Sequence, residues 1–358
     1  METYLLVAIV LIILGLSFEA VNSITKQRIQ KKLPTYFYIV PSFLLLFIIS
    51  AFRGNFTTDY NNYTFLFRKI NSFGFFDAFI YGPEREFGYV LLNRTIGLFT
   101  SNEIFLFAIT TFIILFGFYH QFKKYSVNIW LSVLMLVTAG SYYASFNITR
   151  QILAASIIFI GSKFLYERKF FKYLLVVLLA FLFHKTALIM IPFYFILNFR
   201  INIRNLLLFF ISSTILVFYF DGVIDFVQNF AYDNYTENSY GMTGQNVANV
   251  VLPIAFLIFS LFHVKKLDPK NNMHRIWFNA VVFYAIFNIL ALQVEMVERL
   301  SRFFASYALL LIPFLFSKMQ NKNLRVIYMM VLIFVLILYN FVILSDSVFD
   351  PYYFIWDK

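Results

Sequence analysis

The sequence predicts an all-α, polytopic integral membrane protein of about twelve transmembrane helices, organised as one domain over residues 1–358. Three observations carry that prediction. Apolar runs of about 17–20 residues, each able to cross a hydrocarbon core, recur along the whole chain. Hydrophobic residues make up 61% of the sequence and charged residues 13%, against roughly a quarter charged in a soluble domain. Every second segment between the runs is strongly basic. A β-barrel is excluded, because its strands would alternate apolar and polar residues. Cysteine is absent, which removes disulfides and thiolate chemistry.

The spans follow in order. The first covers Tyr4 to Val21. Met1–Glu2–Thr3 lacks the positive region of a signal peptide and no small-residue cleavage site follows, so this run reads as a true span. The basic loop SITKQRIQKKLP then faces the cytoplasm, which places the N-terminus outside. Span two, Tyr36 to Phe52, delivers Arg53 to the outer face. An outer segment at about 53–103 holds AFRGNFTTDYNNY, the turn YGPEREFGY and VLLNRTIGLF. The last is too short and too polar to span and reads as an amphipathic or re-entrant helix. Spans three to five run from Ile104 to Tyr119, Val127 to Ala144 and Arg150 to Leu165. Spans six and seven, Tyr173 to His184 and Thr186 to Asn198, are short and could form one long bent helix. Span eight, Leu206 to Phe220, opens into an acidic outer loop at about 221–246. Spans nine to twelve cover Val247 to His263, Ile276 to Leu292, Phe303 to Phe316 and Val326 to Leu344, leaving the C-terminus outside.

Charge supports this alternation. Every loop assigned to the inside is basic, and together these loops hold 19 of the 29 Lys and Arg. The outside segments hold 15 of the 18 Asp and Glu. The positive-inside rule therefore accounts for the net charge of +11 without a nucleic-acid partner.

The outward ends carry a different kind of polarity. Arg53, Asp59, Tyr60, Tyr63, Glu86, Arg150, Gln151, His184, Glu298, Arg299, Arg302 and Tyr307 all fall there. Ionisable groups at the margin of an apolar span are functional candidates. Arginine's planar fork suits phosphate and pyrophosphate oxygens, so an Arg cluster at this boundary points to an anionic lipid headgroup or a lipid pyrophosphate. The plainer alternatives are snorkelling of single side chains and Arg–Glu pairing that locks helices, as between Glu298 and Arg299. Asp59, Glu86 and His184 are the candidate proton acceptors. No HxxxH or HExxH set is present and the other three His fall near the inner face, so no metal is expected. No Walker loop or GxGxxG occurs, so no nucleotide cofactor is expected.

Four stretches in order, FRGNFTTDYNNY, EFGYVLLN, ITRQILAASI through ERKFFKYLLVVLLAFLFHKTALIMIPFYF, and ERLSRFFASYALLLIP, resemble the EpsG-like branch of Wzy-type bacterial polysaccharide polymerases. The resemblance implies a GT-C-like glycosyltransferase without cofactor, in the bacterial cytoplasmic membrane, with its site facing outward. Its substrate would be an undecaprenyl-pyrophosphate-linked oligosaccharide. The growing glycan would move to an incoming lipid-linked repeat unit. A chain-length regulator and a flippase would be partners beside the membrane lipids. The site would be lined by Arg53, Asp59, Glu86, Arg150, His184, Arg299 and Arg302, with the base left open. A flippase or transporter of lipid-linked glycans fits the residues less well, because it should carry polar groups deep in its spans. An O-antigen ligase or a membrane acyltransferase acting on sugars is a second alternative, and the ligase, which shares the donor, is poorly separated from a polymerase by this sequence.

Overall fold

The computed structural model describes residues 2–29, 33–80, 86–200, 246–293, 296–345 and 351–357. Every regular element among them is helical. The first six helices are α1 (Glu2–Ile29), α2 (Tyr36–Ala51), α3 (Tyr60–Ser72), α4 (Asp77–Ile80), α5 (Phe87–Gly97) and α6 (Ile104–Tyr125). Next come α7 (Ile129–Thr138), α8 (Ser141–Asn147), α9 (Thr149–Ile160), α10 (Ser162–Tyr166), α11 (Phe170–Phe181) and α12 (Met190–Asn198), with a 3-10 turn (Lys185–Ile189) before α12. After the second long interval come α13 (Ala248–Phe262), α14 (Asn272–Leu290), α15 (Met296–Ser317) and α16 (Lys322–Ser345).

The protein is a helical membrane protein. Five helices, α1, α6, α14, α15 and α16, are long and apolar enough to cross a membrane, and the bent pair α7–α8 makes a sixth. The expected twelve also counted the shorter apolar segments α2, α9, α11, α12 with its 3-10 turn, and α13, each of 10–17 residues. Span eight, and all but the end of the 221–246 loop, lie outside the described residues.

Three local departures matter. Span four is not straight: it bends by 45° between α7 and α8. Gly140 takes the turn at φ 85°, where a side chain would be strained. Spans six and seven are not one helix. The chain leaves α11 at Phe181, and His184 is extended at φ −160°, ψ 122° before the 3-10 turn begins. VLLNRTIGLF does form a helix, α5, which packs on α3 in a small core of Tyr63, Phe67, Tyr89 and Phe107.

Burial separates centre from rim. The apolar stretch of α15 is 83% buried, whereas those of α1 and α16 are 28% and 11% buried. Rim side chains such as Leu6, Met330 and Phe334 are exposed, as expected of helices whose outer faces meet lipid tails. Contacts also sort the helix ends into two groups. At one, Trp277 donates to the Tyr166 hydroxyl at 2.8 Å and Gln121 to the Ile160 carbonyl at 2.9 Å. These are ends that the charge pattern assigns to the inside. The other group holds the candidate site.

Candidate active site

The break after α11 is where the site begins. The Gly88 amide donates to the Leu182 carbonyl at 2.7 Å. A Cβ on Gly88 would come within 2.9 Å of Leu182, so only glycine lets α5 start flush against the break. That contact fixes Glu86, at the N-cap of α5. Its carboxylate does not cap its own helix. It accepts from His184 Nδ1 at 2.9 Å, from the Lys185 amide at 3.2 Å and from Arg150 Nη1 at 2.9 Å. The chain break at His184 thus exposes a backbone amide and a ring nitrogen together, and Glu86 satisfies both.

Glu86 is only 7% exposed. Burial pushes its carboxyl up, but the His184 hydrogen bond, the Arg150 and His184 charges and the Lys185 amide outweigh burial and leave it below the ordinary value. An ionised Glu86 accepts from Nδ1–H, so the ring nitrogen left outside this pair is Nε2. That atom is buried and has no hydrogen-bond partner among the described residues.

Arg150, in the first turn of α9, faces two ways. Besides Glu86, its guanidinium lies 5.3 Å from the Tyr89 ring centre and 6.0 Å from that of Tyr63. It also acts on Asp59, as does Arg299. Asp59 precedes α3, and Asn147 at the end of α8 holds it in place. The Asn147 Oδ1 accepts from the Asp59 amide at 2.9 Å and from Thr58 Oγ1 at 2.8 Å. The Asp59 carboxylate itself makes no hydrogen bond or ion pair among the described residues. Burial raises its pKa, and Arg299 and Arg150 only partly offset that.

Arg299 and Arg302 open onto a cavity of about 340 Å³, together with Glu298, Asn147 and Asn249. The predicted Arg–Glu pair is real but its members differ. Glu298 pairs with Arg302 at 2.5 Å, one turn along α15, and not with its neighbour Arg299. Residues adjacent in a helix point about 100° apart, so Arg299 turns toward Asp59 instead. Gln151 donates to the Arg299 carbonyl and so ties α9 to the first turn of α15.

Arg53 is placed differently from the expectation that it binds substrate. It is 2% exposed. Nη1 donates to the Ser50 carbonyl at 2.6 Å and Nη2 to that of Phe146 at 3.3 Å. The guanidinium lies 4.4 Å from the Phe107 ring centre. It holds the 53–59 loop and does not line the cavity. Tyr60 stacks on Phe107 and Tyr63 packs edge-on against Tyr89, so both are walls of the α3–α5–α6 core. The loop is clamped from outside by residues 351–357. Gly54 donates to the Tyr353 carbonyl at 2.7 Å, Ile355 to the Phe52 carbonyl at 3.0 Å, and Arg53 bridges Phe354.

The geometry therefore unites Glu86, His184 and Arg150, then Asp59 and Arg299 through their charges, and finally Arg302 with Glu298. The Asn147 side chain and the Lys185 amide are participants that the sequence reading did not single out; FNITRQ showed only that a polar residue precedes Arg150. Among the described residues no group of three or more potential metal ligands occurs. No curated protein and no solved structure matches the chain. The EpsG family model matches residues 35–355, nearly the whole sequence, and the chain belongs to the EpsG family.

Proposed function

We propose that the protein is a membrane glycosyltransferase that polymerises an extracytoplasmic polysaccharide. Membership of the EpsG family supports a polysaccharide-polymerase-like enzyme. In the finer reading, a growing glycan on undecaprenyl pyrophosphate is the donor, and an incoming lipid-linked repeat unit is the acceptor. The site faces outward from the bacterial cytoplasmic membrane on a GT-C-like helical scaffold.

The observation that carries this reading is the placement of Asp59. It is a carboxylate with no hydrogen-bond partner among the described residues, raised by burial, between two arginines. Arg299 and Arg150 would hold the donor pyrophosphate and stabilise its charge as it leaves. The acceptor hydroxyl oxygen bonds to the anomeric carbon while the bond from that carbon to the pyrophosphate oxygen breaks. The hydroxyl proton passes to Asp59, and undecaprenyl pyrophosphate departs. Bound pyrophosphate would raise the Asp59 pKa further, which strengthens it as a base. Glu86 is a positioning residue, because its oxygens are committed to Arg150, His184 and Lys185.

The test is reconstitution in lipid nanodiscs with a defined undecaprenyl-pyrophosphate-linked repeat unit. A ladder of products spaced by one repeat supports the polymerase. Transbilayer movement of the substrate without elongation would instead favour the transporter reading. Transfer to a different lipid acceptor, with no ladder, would favour the ligase.

A further inference from the structure

A second cavity, of about 680 Å³ and almost wholly apolar, lies between α13, α15 and α16. The charged cavity of the candidate site touches the same three helices. On α13, Asn249 lines the charged cavity, and Leu252, Phe256 and Phe259 line the apolar one. On α16 the apolar cavity takes Tyr328, Leu332 and Val335, and the charged one takes Tyr339 and Ile343. On α15, Arg302 serves the first and Ile312 and Phe316 the second. Within each helix these positions recur at three, four or seven residues, or sums of them, so each set forms one stripe. Tyr328 to Ile343 spans roughly 22 Å of α16 at 1.5 Å per residue. That matches a hydrocarbon half-thickness plus one headgroup layer, about 20–22 Å.

We propose that this apolar groove is the binding site for the prenyl chain of the diphosphate-linked donor. The assignment rests on the donor named under the proposed function. Two features favour that occupant. The groove continues the stripe that bears Arg299 and Arg302, so one molecule with an anionic head and a long apolar tail satisfies both ends. Its exposed wall residues, Ala255 and Val331, leave it open to the side from which a membrane lipid arrives.

The probe is a prenyl diphosphate carrying a photoactivatable diazirine near the end of its chain, cross-linked in nanodiscs and mapped by peptide mass spectrometry. Label is expected on α13 and α16 peptides around Ala255 and Val331. Ala255→Trp and Val331→Trp, both on exposed positions, should each fill the groove and weaken labelling by about tenfold, the loss of a few buried methylenes. Leu16→Trp, on the exposed face of α1, should leave labelling unchanged. Unlabelled undecaprenyl phosphate should compete, and phosphatidylglycerol should not. Label elsewhere, label indifferent to both Trp variants, or equal competition by phosphatidylglycerol overturns the assignment. The polymerase reading is judged separately: a ladder with label elsewhere rejects only the groove, and labelled groove without a ladder rejects only the polymerase.

Discussion

Glu86 and Glu167 sit at opposite ends of the helical bundle, and each is held below its ordinary pKa by neighbouring basic side chains. Glu167 pairs with Lys169 at 2.7 Å and Lys163 at 3.8 Å. The Lys169 hydrogen bond lowers its pKa in a solvent-exposed loop. Glu86 reaches the same state while buried, with Arg150 and His184 as partners. Exposed pairs are screened and interchangeable. A buried pair persists only where hydrogen bonds satisfy every oxygen, and loss of one partner strands the other. At one end the charges lie in solvent; at the other they are buried and bonded into a single cluster.

The largest effect expected from breaking this contrast is on chemistry. Asp59→Asn should slow ladder formation by about 10²–10⁴-fold, the usual range for a lost base. Because the base must be ionised, the wild-type rate should rise with pH through a limb above 3.8, the ordinary Asp value, and Asn should abolish that limb. An Asn variant with the wild-type profile would remove Asp59 from the reaction. Next comes Glu86→Gln, which should destabilise the protein by about 3 kcal/mol in thermal melts. Glu167→Gln should leave both melting and turnover unchanged, and equal losses in the two variants would erase the contrast. The sign with pH is fixed. The folded pKa of Glu86 lies below 4.5, so its contribution is complete above pH 4.5 and fades only as pH falls beneath it.

Smaller effects sharpen the assignment. Arg299→Lys keeps the charge but loses the fork. The donor KM should rise about 10- to 100-fold, the worth of a charged hydrogen bond. An unchanged KM would argue against pyrophosphate at this position. His184→Gln retains an amide that can donate to Glu86, so turnover should fall by no more than about tenfold. If His184→Gln instead abolishes turnover while Asp59→Asn spares it, the proton acceptor is His184 through Nε2.

The helices were legible because apolar runs between basic loops need no tertiary information. The polar cluster was legible for the same reason, since Arg150 and His184 interrupt otherwise apolar text. The internal division of that cluster was not. Nothing in FLFHKTALIM marks a chain break, since it has neither Gly nor Pro; the break follows from the docking of α5 through Gly88. The Glu298 partner could be sought at the next residue or one turn on, and only the helical angle decides it. Arg53 reads like Arg299 in sequence, yet the first is buried among carbonyls and the second opens onto a cavity. Whether a guanidinium faces inward or outward depends on residues far away in the chain, here Phe107 and Phe146.

The clamp formed by residues 351–357 has a consequence for biogenesis. Tyr353 and the Asn55 it grips are 298 positions apart. At a synthesis rate of about 5–20 residues per second, the loop carrying Asp59 waits roughly 15–60 s on the ribosome–membrane assembly before its clamp exists. The helices can insert and pair in that interval, but the loop before α3 is clamped only when the chain returns to it. Completion of this loop is thereby tied to completion of the whole bundle, so a chain stalled in its final spans would carry the arginines without the clamp on Phe52, Gly54 and Asn55.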